Sequence, residues 1–274
     1  MKKILQKTLK FNNGLEIPQI GLGTYKLEDE NETLQSVKAA IENGYRHIDT
    51  ASIYHNHKII AQAIKESKID RKKLFITSKI WNSHHEYNLA KIAVDEILAE
   101  LELEYIDLLL IHWPTENRLG CWKALEEAVD QGKVKSIGIS NFQPHHIEEL
   151  LKNCRIKPVI NQFELHPALQ NLEVVKICRD NDIIVESWGT MIRGKCFEIE
   201  QIQQLASKYN KTEAQICLRW GFQNDYVIIP KSSKPKRVIE NIDIEDFELT
   251  AEDMKILATI TEQRDGPDPD NFNF

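Results

Sequence analysis

An aspartate, a tyrosine, a lysine and a histidine can together stabilise an oxygen that is gaining negative charge. This chain places three of them directly after short apolar runs and the fourth close behind: Asp49 after "YRHI", Lys79 after "LFITS", His112 after "YIDLLLI", and Tyr54 a few residues past Asp49. A lysine entering an apolar pocket tends to lose its proton, and a facing carboxylate keeps it charged. On that reasoning Asp49 holds Lys79 cationic. Lys79 in turn lowers the pKa of Tyr54 from about 10 and makes the phenol a better acid near neutral pH. His112 offers a second hydrogen bond to the same oxygen. The set suits a carbonyl that accepts hydride. It suits hydrolysis poorly, because neither paired carboxylates nor an activated nucleophile stand nearby. Taken alone, each of these residues reads as readily as a helix cap or a solvated loop residue. Their common position at the ends of apolar runs is what sets them apart.

The elements that must position them alternate. The β-branched runs "PQIGLGTY", "YRHIDTA", "LFITSKIW", "YIDLLLIHW", "VKSIGISN", "PVINQFE", "DIIVESW" and "DYVIIPKS" are separated by amphipathic stretches. Helices are predicted over about 32–43, 58–68, 121–131, 144–152, 172–181, 199–209 and 236–242. A further helix is carried by the apolar stripe Leu89, Ala93, Ile97 and Leu101. Strands alternating with helices pair in parallel through right-handed crossovers. Eight such units in 274 residues fit a closed (β/α)₈ TIM barrel, read here as one domain spanning 1–274. An open dinucleotide-binding sheet would need G-x-G-x-x-G in its first βα turn, and the "GLGTYK" run beginning at Gly21 lacks the third glycine. Asn13-Gly14 predicts an N-terminal β-hairpin under the barrel floor, and "LTAEDMKILATI" an additional C-terminal helix. A barrel puts catalytic groups at the C-terminal ends of its strands. That rim also collects Ser140-Asn141, Asn161-Gln162 and Lys231-Ser232.

Composition sets the outer bounds. The net charge of −7 argues against nucleic-acid or anionic-membrane binding by the surface as a whole. No apolar run approaches the roughly 20 residues a membrane helix needs. Gln6, Lys7 and Lys10 break up the only N-terminal stretch that could resemble a signal segment. Five scattered cysteines without a C-x-x-C read as free thiols of a reducing compartment, so a cytoplasmic location is expected.

Taken in order and spacing, "GYRHIDTA…Y", "FITSKIW", "LLLIHWP", "IGISNF", "VINQFELHP" and "VIIPKS….R..EN" resemble the block motifs of the aldo-keto reductases, specifically the prokaryotic NADPH-dependent aldehyde and ketone reductases. The match runs through nearly the whole chain. The resemblance implies a (β/α)₈ barrel, NADPH/NADP as cofactor, and a catalytic tetrad of Asp49, Tyr54, Lys79 and His112 with Tyr54 as proton donor. It further implies cofactor contacts from Thr24, Ser140, Asn141, Gln162, Trp188 and Arg193. Lys231, Ser232 and Arg237 would meet the 2′-phosphate, with Glu240 and Asn241 at the adenine. Charge chemistry points the same way, because Lys231, Lys234, Lys236 and Arg237 cluster in an acidic protein and a planar guanidinium matches a phosphate. Two departures from the family pattern stand out. Gly189-Thr190-Met191-Ile192 replaces the usual Ser-Pro-Leu-Gly, which predicts a more flexible loop, and His57 stands where many members have Glu.

On the substrate side Tyr25, Trp81 and Trp113 adjoin the strand ends, and aromatic walls suit aldehydes, small ketones and dicarbonyls. The tail "GPDPDNFNF" either lies along the pocket rim, with Phe272 and Phe274 in contact, or is a free end. Histidines at 55 and 57, 84 and 85, and 145 and 146 lack matched carboxylates in sequence, so no catalytic metal is expected. The expected partner is a small-molecule carbonyl, and the resemblance implies a monomer. A rival reading keeps the barrel and NADPH but makes the protein a catalytically weak regulator.

Overall fold

The computed structural model describes residues 2–274. A two-stranded antiparallel hairpin, β1 (Thr8–Lys10) and β2 (Glu16–Pro18), comes first. Eight parallel strands follow: β3 (Leu22–Gly23), β4 (His47–Asp49), β5 (Phe75–Ile80), β6 (Ile106–Ile111), β7 (Val134–Ser140), β8 (Ile160–Glu164), β9 (Ile184–Trp188) and β10 (Val227–Ile228). They lie side by side in chain order. The first and last edges meet through a parallel bridge between Ile20 and Ile228, with Ile228 N–H donating to Gln19 O (2.9 Å), Gly21 N–H to Ile228 O (2.9 Å) and Gly23 N–H to Pro230 O (3.2 Å). Closure needs glycine at 23, where a Cβ would lie 2.5 Å from Ile229 O. The result is the (β/α)₈ barrel.

The helices α1 (Glu30–Glu42), α2 (His57–Ser67), α3 (Tyr87–Glu100), α4 (Arg118–Asp130), α5 (Pro144–Asn153) and α6 (Leu172–Asp180) each return the chain to the next strand. Two helices, α7 (Glu200–Tyr209) and α8 (Glu213–Gln223), separate β9 from β10, and α9 (Pro235–Glu240) and α10 (Ala251–Leu257) close the chain. Several begin at side-chain caps. Asp29 accepts from Glu32 N–H at 2.8 Å, and Thr212 and Thr250 form capping boxes with Gln215 and Asp253. Pro144 takes the first turn of α5, where its missing N–H costs nothing.

Strand alternation sorts the core. In β6, Leu109 and Ile111 pack outward into the main cluster with the helices, while Leu108 and Leu110 point inward. The inward cluster joins Val159, Ile160 and Val227 to Phe11 and Ile17 of the hairpin, which therefore stops the barrel floor. Asn12 and Asn13 fasten it there by donating to Pro158 O (2.9 Å) and Ser136 Oγ (3.0 Å). With the floor packed, polar side chains are left to the opposite rim.

Candidate active site

The same alternation aims Asp49, at the end of β4, and Lys79, in β5, into the barrel. Both are almost fully buried, at 2% and 1% exposure. Lys79 Nζ donates to Asp49 Oδ1 at 2.6 Å and to Thr50 O at 2.9 Å. Gln162 of β8 donates to Asp49 Oδ2 at 2.9 Å. Burial alone would strip the Lys79 proton, but Asp49 and then Tyr54 pull its pKa above the usual lysine value, so it remains a cation. Burial lifts the Asp49 carboxyl, and the bonds from Lys79 and Gln162 hold it back.

Tyr54 ends a short 3₁₀ turn, Ser52–Tyr54, that His55 terminates in the left-handed region (φ 55°). This turn brings the phenol ring to 5.2 Å from Lys79 Nζ and 5.8 Å from the His112 ring. Lys79 pulls the phenol pKa down, yet burial outweighs it and leaves Tyr54 at about 12. The net lowering read from the sequence is therefore corrected: the charge pattern foresaw the cation, not the desolvation. His112, just beyond β6, is held neutral by burial and by Lys79. Behind it, His85 bonds Ile80 O (3.0 Å) and Thr115 Oγ1 (2.7 Å).

The remaining predicted residues fall into two groups. Ser140, Asn141, Gln162 and Trp188 adjoin one another. Trp188 Nε1 donates to Asn141 Oδ1 (2.8 Å), Asn141 Nδ2 to His112 O (2.9 Å), and Ser140 Oγ to Gln162 O (2.8 Å). The Arg193 guanidinium lies 5.5 Å from the Trp188 ring. Thr24 is buried, and its hydroxyl donates to Asp49 O at 2.8 Å. The second group follows β10. Lys231 and Ser232 precede α9, which carries Arg237 and Glu240 and ends at Asn241. Lys234 pairs with Glu32 (2.9 Å) and Lys236 with Glu240 (3.6 Å), whereas among the described residues Lys231 and Arg237 have no carboxylate at salt-bridge distance. Two cations without an acidic partner are a donor set that fits a phosphate.

Around the mouth, Tyr25 packs on Tyr54 (5.2 Å) and Trp81 on His112 (5.0 Å). The tail is packed too. Phe274 stacks on Trp81 at 5.6 Å, and Phe272 lies 5.1 Å from Trp113. The loop after β9 turns through positive φ at Gly189, Ile192, Arg193 and Gly194 and is tied by Thr190 Oγ1 to Ser187 Oγ at 2.6 Å. The φ of +71° at Gly189 is one that glycine adopts readily and the serine of the family pattern would not. His57 sits at the start of α2 between Glu100 (2.8 Å) and Ser78 (3.0 Å).

Sequence reasoning missed Glu186. It points into the barrel beside Gln162 in the β8–β9 register and is fully buried, and neither carboxyl oxygen has a hydrogen-bond partner among the described residues. Burial, reinforced by Asp49, pushes its pKa up to about 8. A folded-state pKa above the unfolded value near 4.5 gives stability that is full at low pH and is lost as pH rises through about 8. Urea denaturation should therefore show wild-type stability falling between about pH 5 and pH 8 relative to Glu186→Gln, which has no proton to lose. Parallel pH profiles would contradict the burial of an ionisable group there.

Of the histidine pairs, His145 and His146 come together with Asp270, at 3.4 and 3.9 Å. Gln143 N–H donates to His146 Nδ1 (3.2 Å), which leaves the proton on Nε2 facing His145 Nε2 (3.1 Å). The expectation that these histidines lack a carboxylate partner is thus corrected at this pair, where Asp270 joins them from the tail. Among the described residues all five cysteines are free, and no helix is long and apolar enough to cross a membrane.

Comparison with known proteins gives concordant matches. The Aldo/keto reductase family model matches residues 19–262. The "Glyoxal reductase" of Bacillus subtilis (strain 168) is 48% identical over 276 residues, covering 100% of each chain. An aldo-keto reductase from a Medee basin deep-sea metagenome library superposes with a TM-score of 0.94 at 39% identity, covering 97% of this chain and 100% of its own. A variant of Gox0644 in complex with NADPH superposes at 0.92 with 36% identity, covering 98% of this chain and 99% of its own.

Proposed function

The chain belongs to the aldo/keto reductase family, and from that premise we propose that it is an NADP-dependent reductase converting aldehydes, small ketones and dicarbonyls to alcohols, with Tyr54 as proton donor. The observation that carries this reading is the Lys79–Asp49 pair, 2.6 Å apart in the barrel mouth, with the Tyr54 ring beside the ammonium. NADPH supplies the hydride when bound. Tyr54 keeps its proton at neutral pH and releases it as the carbonyl oxygen gains charge, which the fixed Lys79 cation favours. His112, neutral and seated between Tyr54 and Trp81, orients that oxygen. Trp188, Asn141, Ser140 and Gln162 would hold the nicotinamide, and Arg193 would be a further cofactor contact. Lys231, Ser232 and Arg237 would hold the 2′-phosphate, with Glu240 and Asn241 beside the adenine. Tyr25, Trp81 and Trp113 form an aromatic wall suited to flat carbonyls, and the NADPH complex and glyoxal reductase among the relatives support this cofactor and this substrate class. The protein is read as a one-domain monomer working in the cytoplasm on small carbonyl substrates. The regulator reading is disfavoured by the complete tetrad.

The test is consumption of NADPH with a panel of aldehydes that includes a dicarbonyl. Arg237→Ala should weaken NADPH binding by about tenfold to a hundredfold, the worth of one charge-assisted hydrogen bond, and leave NADH binding unchanged. Equal losses for both cofactors, or none, would show that Arg237 does not meet the 2′-phosphate.

A further inference from the structure

β8 ends at Glu164, a carboxylate only 1% exposed. A buried charge persists only when its oxygens are bonded. Those of Glu164 are bonded largely by the C-terminal tail: Asp265 N–H donates at 2.6 Å and Gly266 N–H at 3.0 Å, with Arg264 3.8 Å away and His166 Nε2 at 3.1 Å. Its backbone is fixed as well, since Asn171 Nδ2 donates to Glu164 O at 2.7 Å. Burial pushes the Glu164 pKa up, but His166 and the two backbone N–H groups outweigh it and hold the carboxyl below its usual value. Just past this anchor, Gly266 presses on Trp188 so closely that a Cβ would lie 2.3 Å from the indole Cη2. The Asp265 carboxylate meets Arg193 (3.2 Å) and Lys195 (2.5 Å). At the far end, Asn82 Nδ2 donates to Phe274 O (3.1 Å), and Phe272 and Phe274 lie on Trp113 and Trp81. The tail is thus fixed at its start by Glu164 and delivers two phenyl rings to the mouth at its end.

We infer that Glu164 is a specificity-determining positioning residue: by binding the backbone of Asp265 and Gly266 it sets the course of the tail, and so places Phe272 and Phe274 as a wall that aromatic and other large apolar aldehydes reach and small dicarbonyls do not. This rests on the reductase reading above. Glu164 touches neither the reacting atoms nor the tetrad. It acts through ten residues of tail, so its loss should appear in KM, and mainly for substrates large enough to reach the rings.

The test compares steady-state kinetics of the full chain, Glu164→Gln, a chain lacking 265–274, and the combination. Glutamine turns a donor toward one of the two N–H groups. Glu164→Gln should raise the KM for benzaldehyde about tenfold, equivalent to ~1.4 kcal/mol. It should raise the KM for methylglyoxal far less, and kcat should fall much less than KM rises. The truncated chain should show the same benzaldehyde KM, and adding Glu164→Gln to it should change nothing further. Trypsin should cut after Arg264 faster in the full-length variant than in wild type. An effect of Glu164→Gln that persists undiminished in the truncated chain, or an unchanged KM, would overturn the assignment. Should no chain reduce any carbonyl, it is the reductase reading that fails. The trypsin comparison then decides the anchor alone, and equal cutting rates reject it.

Discussion

Tyr54→Phe should lower kcat/KM for any aldehyde by about a thousandfold, within the range that general-acid catalysis contributes, while leaving NADPH affinity unchanged. The variant removes one oxygen and little else. The ring would still pack on Tyr25 at 5.2 Å and on His112 at 5.8 Å, so the geometry of the mouth survives. What is lost is the proton. At about 12, the Tyr54 pKa keeps that proton in place through the neutral range, so wild-type kcat/KM should not decline between about pH 6 and pH 9 through loss of the acid. In the proposed mechanism Lys79, which pulls the phenol pKa down against burial, is what favours release of that proton. Stopped-flow and steady-state measurement of the pair of proteins separates binding from chemistry. A Phe variant that retains wild-type turnover would remove Tyr54 from the proton path.

Lys79→Met should cost both activity and stability, and the two losses should come apart in a double variant. Without the ammonium, Asp49 is left as an uncompensated buried charge, which typically destabilises by about 3–5 kcal/mol. Activity should fall by about a hundredfold or more, because the phenol loses the cation that offsets its burial. Asp49→Asn combined with Lys79→Met removes both charges. It should recover most of the stability and none of the activity, as read by chemical denaturation and NADPH consumption. The stability loss of Lys79→Met alone should shrink as pH falls: the unpaired Asp49 has a folded-state pKa above its unfolded value, so its protonated form stabilises the fold at low pH and that contribution disappears as pH rises. Equal stability of the single and double variants at neutral pH would show that Asp49 is not charged in the folded protein.

The parts of this site that were legible in the sequence are those tied to strand ends. Apolar runs terminate where the barrel rim begins, so Asp49, Lys79 and His112 could be placed together from alternation alone. Helix starts shifted by a few residues: α4 begins at Arg118, ahead of the expected 121, and α9 at Pro235. α8 was missed. Ile216, Cys217, Leu218, Trp220 and Phe222 are all buried, and Gln215 and Arg219 of its polar stripe are buried with them, so the helix lacks the solvent-facing side of an amphipathic surface helix. The Thr212-x-x-Gln215 capping box was the signal that could have found it. Desolvation was likewise out of reach, because a composition does not say how deeply a phenol or Glu186 will sit. Gln162, assigned to the cofactor, also bonds Asp49. The tail contacts of Glu164 join residues about a hundred positions apart, and no local pattern marks them.

The central claim is that this rim moves hydride onto a carbonyl carbon while its own side chains govern the oxygen. Reduction of benzaldehyde with NADPH deuterated at the transferable position tests it most directly, with the alcohol analysed by mass spectrometry and NMR. The account predicts one deuterium on the carbinol carbon from the wild-type enzyme and almost no alcohol from Tyr54→Phe. Alcohol carrying no deuterium, or no alcohol at all from wild-type protein saturated with NADPH, would contradict it.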